Sequence, residues 1–121
     1  MGHKVLLVDD SLFMRNMLRG IFESEGHEIV AEAADGVEAV RKYRDFRPDI
    51  TTMDIVMPAK NGIEALREIR AIDGNACVIM CSAVGQESLM NAAQQAGASD
   101  FILKPFNTER VREVIRRVAG D

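Results

Sequence analysis

Residues 4–33 read KVLLVDDSLFMRNMLRGIFESEGHEIVAEA, and the succession of periods within them decides the fold. Lys4–Val8 is an apolar run of strand length, closed by Asp9 and Asp10. Ser11 can cap a helix, since its hydroxyl oxygen accepts from a first-turn N–H that has no partner inside the helix. Leu12, Met14, Met17, Leu18, Ile21 and Phe22 then recur at helical spacing until Gly26. Glu28–Ala33 returns to strand, and its polar positions place it near a sheet edge. Strand, helix and strand at this spacing form a right-handed crossover with parallel strands.

The same unit repeats outward along the chain. Asp35, with Glu38 three residues on, starts a second helix whose stripe of Val37, Val40, Tyr43 and Phe46 runs to Pro48. Asp49–Met53 is a third strand, ending at Asp54, and the loop Ile55–Lys60 leads to a helix opened by Asn61 or Gly62. That helix turns Ile63, Leu66, Ile69 and Ile72 inward and closes near Asp73 and Gly74. Ala76–Cys81 is a wholly apolar fourth strand, Gln86–Ala96 a weaker helix ended by Gly97, and Phe101–Leu103 a short fifth strand. Asn107 caps a last helix with Val111, Val114, Ile115 and Val118 inward. The expected fold is α/β: an open five-stranded parallel sheet with helices on both faces.

Composition agrees with one domain over residues 1–121. The chain is 47% apolar and 28% charged, with 15 basic and 19 acidic side chains and a net charge of −4. That acidity argues against direct nucleic-acid binding. No apolar run approaches the roughly 18 residues a membrane span needs. Asp9 and Asp10 interrupt the first apolar run, so no signal peptide is read, and Leu6 stands where acylation of Gly2 would want Ser or Thr. A cytoplasmic location is expected. Cys77 and Cys81 read as buried, inert thiols, and His3 and His27 lack ligand spacing.

Open α/β sheets bind ligands beyond the carboxyl ends of their strands. Asp9 and Asp10 follow the first strand, Asp54 the third, Ser82 the fourth and Lys104 the fifth. Alone, each has a plain reading, an aspartate as a helix cap and a lysine as a solvated charge. Together, three carboxylates on one rim repel one another unless a cation joins them. An all-oxygen donor set without histidine or cysteine suits Mg²⁺. A cation site beside an ammonium and a hydroxyl suits phosphoryl transfer, and Asp54, on a central strand, is placed to accept phosphoryl as an acyl phosphate.

These residues carry a family resemblance. Val8-Asp9-Asp10 with Phe13-Met14-Arg15, Met53-Asp54-Ile55-Val56-Met57-Pro58 with Asn61-Gly62, Met80-Cys81-Ser82-Ala83, Ala96-Gly97-Ala98 and Lys104-Pro105-Phe106 resemble the receiver domain of two-component response regulators. Within that family the chain is most similar to the free-standing chemotaxis type. The resemblance implies the flavodoxin-like strand order 2-1-3-4-5, with Asp54 as phosphoacceptor from a histidine kinase. It implies Mg²⁺ held by Asp10, Asp54 and the Val56 carbonyl, with Asp9 holding a bound water. Ser82 would bond one phosphoryl oxygen and Lys104 another, and the Lys104–Pro105 peptide would be cis. Ser82 and Phe101 would couple phosphorylation to the face formed by the fourth helix, fifth strand and fifth helix.

The implied protein is a monomeric signalling switch, not an enzyme acting on an external substrate. Its target would be another protein, such as a flagellar motor switch component. Three positions depart from the pattern. Phe101 stands where chemotaxis members often carry Tyr. Val56 and Val84 stand where some relatives place polar side chains that position the hydrolytic water. Slow dephosphorylation and dependence on a separate phosphatase follow.

Competing readings are a receiver in a different phosphorelay, one with a DNA-binding output acting in trans, a Mg²⁺-dependent phosphohydrolase and a flavodoxin-like electron carrier. The phosphohydrolase wants Asp-x-Asp where Asp9-Asp10-Ser11 stands, and the carrier wants a Ser/Thr/Gly-rich phosphate loop. The interleaved Glu109 and Glu113 make Arg110, Arg112, Arg116 and Arg117 a solvated face. Met14, Met53, Met57 and Met80 are assigned to packing.

Overall fold

The computed structural model describes residues 2–120. Five strands, β1 (Lys4–Val8), β2 (Glu28–Ala33), β3 (Ile50–Asp54), β4 (Val78–Ala83) and β5 (Asp100–Lys104), alternate with five helices. The helices are α1 (Leu12–Ser24), α2 (Gly36–Phe46), α3 (Gly62–Ile72), α4 (Glu87–Gln95) and α5 (Thr108–Ala119). All neighbouring strands are parallel, in the order β2-β1-β3-β4-β5. β2 lies at an edge and β3 at the centre, as their composition implied.

Strand alternation divides the core between the two sheet faces. Val5 and Leu7 of β1, with Ile79 and Cys81 of β4, pack on Leu18, Ile21 and Phe22 of α1 and Val111, Val114 and Ile115 of α5. Leu6 and Val8, with Met53, Val78 and Met80, pack on the other side against Tyr43 of α2, Leu66 and Ile69 of α3 and Ala93 of α4. α1 and α5 therefore cover one face and the remaining three helices the other.

Helix starts follow the caps read from sequence. Ser11, Asp35 and Asn107 each accept from a backbone N–H three residues on. Asn61 and Glu64 make a reciprocal capping box, which resolves the opening of α3 in favour of Asn61 as cap. α4 begins without a side-chain cap, because the Gln86 side chain turns back to accept from the Ala83 N–H.

Several expectations need correction. β3 includes Asp54, β4 is displaced two residues later and leaves Cys77 outside it, and β5 reaches from Asp100 to Lys104. Leu12, Val37 and Phe46 continue the apolar periods but are exposed, since each lies at a helix end beyond the sheet's cover. Met14 is half-buried, while Met53, Met57 and Met80 are buried. The arginines of α5 are paired rather than simply solvated: Arg116 makes a two-pronged contact with Glu25, and Arg117 pairs with Asp100. No helix among the described residues is long and apolar enough to cross a membrane.

Candidate phosphoacceptor and metal site

At the carboxyl edge of the sheet, β1 delivers Asp9 and Asp10, β3 delivers Asp54, β4 Ser82 and β5 Lys104. One carboxylate oxygen from each of Asp9, Asp10 and Asp54 lies within 4.8 Å of the others. Asp9 is 1% exposed and Asp54 8%, while Asp10 is open to solvent. The Lys104 ammonium donates to Asp9 Oδ2 at 2.8 Å and lies 3.4 Å from Asp54 Oδ2. The Lys104–Pro105 peptide is cis.

This crowding sets the electrostatics. Burial and the neighbouring Asp9 carboxylate push the Asp54 carboxyl up to about 6, and Lys104 only partly opposes them. Burial alone would lower the Lys104 value, but its bond to Asp9 and the charge of Asp54 carry it above the ordinary lysine range. Two of the three carboxylates share one ammonium, so negative charge remains in excess at the rim. Three carboxylates with no histidine or cysteine are a donor set for a hard divalent cation, and Mg²⁺ fits it.

Ser82 is fully buried, and its hydroxyl has no hydrogen-bond partner among the described residues. Such an orphaned donor costs free energy in this state, so a state that supplies an acceptor is favoured relative to it. Val56 lies two residues beyond Asp54 and Val84 two beyond Ser82, with side chains 56% and 82% exposed. Phe101 is half-buried, directly opposite Met80 in the β4–β5 ladder. With Met90, Leu103, Pro105, Asn107 and Arg110 it lines a groove of about 370 Å³ on the α4, β5 and α5 side. His3 and His27 stack with ring centroids 5.5 Å apart and take no part in the acidic cluster.

Two contacts at the site lay outside the expectations drawn from sequence, which gave Gly62 only the opening of a helix and Arg15 no separate role. A Cβ on Gly62 would stand 2.0 Å from the Asp54 carbonyl oxygen, so only glycine lets α3 start against the end of β3. Arg15 donates from Nη1 to the Asp9 carbonyl oxygen and from Nε to Glu32. Both residues stood within the quoted motifs, but no local period signals such contacts. The plain reading of Asp9 also holds in part, because its Oδ1 accepts from the Ser11 N–H and turns the chain into α1.

A response regulator receiver domain model matches residues 5–116. The chain is 53% identical over 117 residues to the chemotaxis protein CheY of Bacillus subtilis, covering 97% of this chain and 98% of that one. It is 52% identical over 119 residues to CheY of Thermotoga maritima, with coverage of 98% and 99%. The crystal structure of the CheX–CheY–BeF3–Mg²⁺ complex from Borrelia burgdorferi aligns with a TM-score of 0.91 at 45% identity, over 96% of this chain and 88% of that one. With its fold, strand order and rim of acids in agreement, the chain belongs to the response regulator receiver domain family and is closely related to the CheY chemotaxis regulators.

Proposed function

We propose that this receiver is a phosphorylation-activated switch of a two-component phosphorelay, working in chemotaxis, with Asp54 as its phosphoacceptor. The observation that carries the reading is the single rim holding a nearly buried Asp54, two further carboxylates, the Lys104 ammonium and the unpartnered Ser82 hydroxyl. The names of the relatives support the chemotaxis assignment. The phosphodonor is a histidine kinase and the target a downstream protein such as a flagellar motor switch component. A separate phosphatase resets the switch, and the chain turns over no external substrate.

Asp10, Asp54 and the Val56 carbonyl would hold Mg²⁺, with Asp9 placed to hold a bound water. When bound, the cation offsets negative charge on the phosphoryl oxygens. An Asp54 carboxylate oxygen attacks phosphorus, the bond from phosphorus to the donor's imidazole nitrogen breaks, and an acyl phosphate remains on Asp54. Lys104 stabilises one equatorial oxygen and then pairs with the product phosphoryl group. The Ser82 hydroxyl gains an acceptor in a second oxygen. Drawing Ser82 toward the rim frees space on the β5 side for Phe101 and reshapes the groove containing Met90, Leu103 and Arg110. A coupling of about 1–3 kcal/mol would change partner affinity roughly 5- to 150-fold.

Intact-mass measurement after incubation with Mg²⁺ and a small acyl-phosphate donor tests the chemistry. The wild type gains one phosphoryl group and Asp54→Asn gains none; equal gain in both removes Asp54 from the role. Hydrolysis of added phosphate esters at enzyme-like turnover would instead revive the phosphohydrolase reading.

A further inference from the structure

Every backbone and side-chain polar group of Asp9 is held. Its N–H donates to the Ala33 carbonyl at 3.1 Å, Oδ1 accepts from Ser11 N–H at 2.9 Å, and Oδ2 accepts from Lys104. Its carbonyl oxygen accepts from Arg15 Nη1 at 2.5 Å. Asp10 differs: among the described residues no hydrogen bond or ion pair holds its carboxylate, which is exposed. Its placement therefore comes through the chain. The peptide joining Asp9 to Asp10 is planar, so the guanidinium that fixes the Asp9 carbonyl also fixes the plane from which Asp10 departs.

Arg15 is itself immobilised. Its Nε donates to Glu32 Oε1 at 2.8 Å, and its side chain is only 15% exposed. Arg19 grips the other oxygen of the same Glu32. The guanidinium thus spans two acceptors on different strands, the Glu32 carboxylate on β2 and the carbonyl just beyond β1. A planar fork of donors can do this, whereas an ammonium presents one point of charge.

We propose that Arg15, anchored by Glu32, is a positioning residue that orients the Asp9–Asp10 peptide and thereby sets the affinity of the acidic rim for a divalent cation. The inference rests on the reading of that rim as a Mg²⁺ site. It makes a prediction whose sign separates it from simple electrostatics. If Arg15 acted only as a positive charge near the site, it would repel the cation and its removal would tighten binding. As an orienting group, its removal weakens binding. Partners that orient metal ligands from outside the coordination sphere typically govern affinity by about 10- to 100-fold.

Calorimetric titration with Mg²⁺ of the wild type, Arg15→Lys and Arg15→Ala tests this, with melting midpoints taken in chelator. Arg15→Lys keeps the charge and loses the fork; it should bind Mg²⁺ roughly 10-fold more weakly. The Mg²⁺ concentration for half-maximal phosphorylation by a small acyl-phosphate donor should rise in step, with the maximal rate at saturating Mg²⁺ retained. Unchanged Mg²⁺ affinity in Arg15→Lys, or tighter binding in Arg15→Ala, overturns the proposal. So does a fall in melting midpoint and maximal rate with no shift in half-saturation. Should the Arg15 variants fail to fold, Glu32→Ala releases the anchor with Arg15 still in place, and unchanged affinity there overturns it equally. A wild type that binds no Mg²⁺ overturns the metal-site reading and this inference with it. A wild type that binds beside an indifferent Arg15→Lys overturns this inference alone.

Discussion

Asp54 sits beside two carboxylates of its own sign, whose repulsion the Lys104 ammonium only partly offsets. Exchanging it for Asn removes one of three crowded carboxylates, so at neutral pH in chelator Asp54→Asn should melt at a higher temperature than the wild type; a lower midpoint would mean the repulsion is not felt. Glycines give a second contrast. Gly62→Ala forces a methyl onto the Asp54 carbonyl and should cost about 1–3 kcal/mol of stability. Gly20→Ala, in α1 with open space around the new methyl, should gain about 0.5–1 kcal/mol. Urea unfolding of both variants checks the pair, and equal effects would contradict the close approach. At this scale the gathering of Asp9, Asp10, Asp54, Ser82 and Lys104 at one rim was legible in sequence, because each stands at the carboxyl end of a strand. The contacts of Gly62 and Arg15 were not, because each meets a backbone oxygen, of Asp54 and of Asp9, for which side-chain pattern carries no signal.

The elements themselves were legible because two periods alternate along the chain. Capping residues marked helix starts more closely than apolar runs marked strand limits. β4 was placed two residues early because Ala76-Cys77 extends its apolar run ahead of the paired residues, which begin at Val78, although the Cys77 carbonyl accepts from the Thr51 N–H of β3. α4 is the least supported helix, with no side-chain cap and only Ala93 buried, and it flanks the proposed readout groove. Elements that move in switching are drawn from the less stable parts of a fold, so amides of α4 should exchange hydrogen faster than those of α3. Between α1 and β2, Glu32 ties Arg15 and Arg19 together. Burial raises its carboxyl, but the hydrogen bonds and charges of the two arginines outweigh it and hold it below the ordinary value of 4.5. A lowered folded value means the bridge stabilises the protein above that range and is lost as pH falls through the folded value. The stability difference between wild type and Glu32→Gln should therefore be flat at neutral pH and shrink below about pH 4.5; a difference independent of pH would deny the bridge its role.

Across the whole molecule, a parallel sheet brings acids separated in sequence to one edge, and a groove opens on the α4, β5 and α5 side, where the proposed readout lies. The fold class and strand order were expected from the units and the family resemblance, and the sheet bears them out. The groove was expected only as a face, because its depth depends on how Met90, Phe101 and Arg110 meet across three elements. Apolar, exposed Val56 and Val84 offer no side-chain hydrogen bond to an attacking water. The phosphorylated protein should lose its phosphoryl group slowly, and a polar residue at either position should speed the loss; a wild-type lifetime of only seconds would contradict this. The central claim is that phosphoryl resides on Asp54. Borohydride reduction of the phosphorylated protein, followed by peptide mass spectrometry, converts an aspartyl phosphate into homoserine at the residue that carried it. Homoserine at position 54 alone is the predicted result, and homoserine at Asp9 or Asp10, or phosphoryl gain without homoserine at 54, would contradict the account.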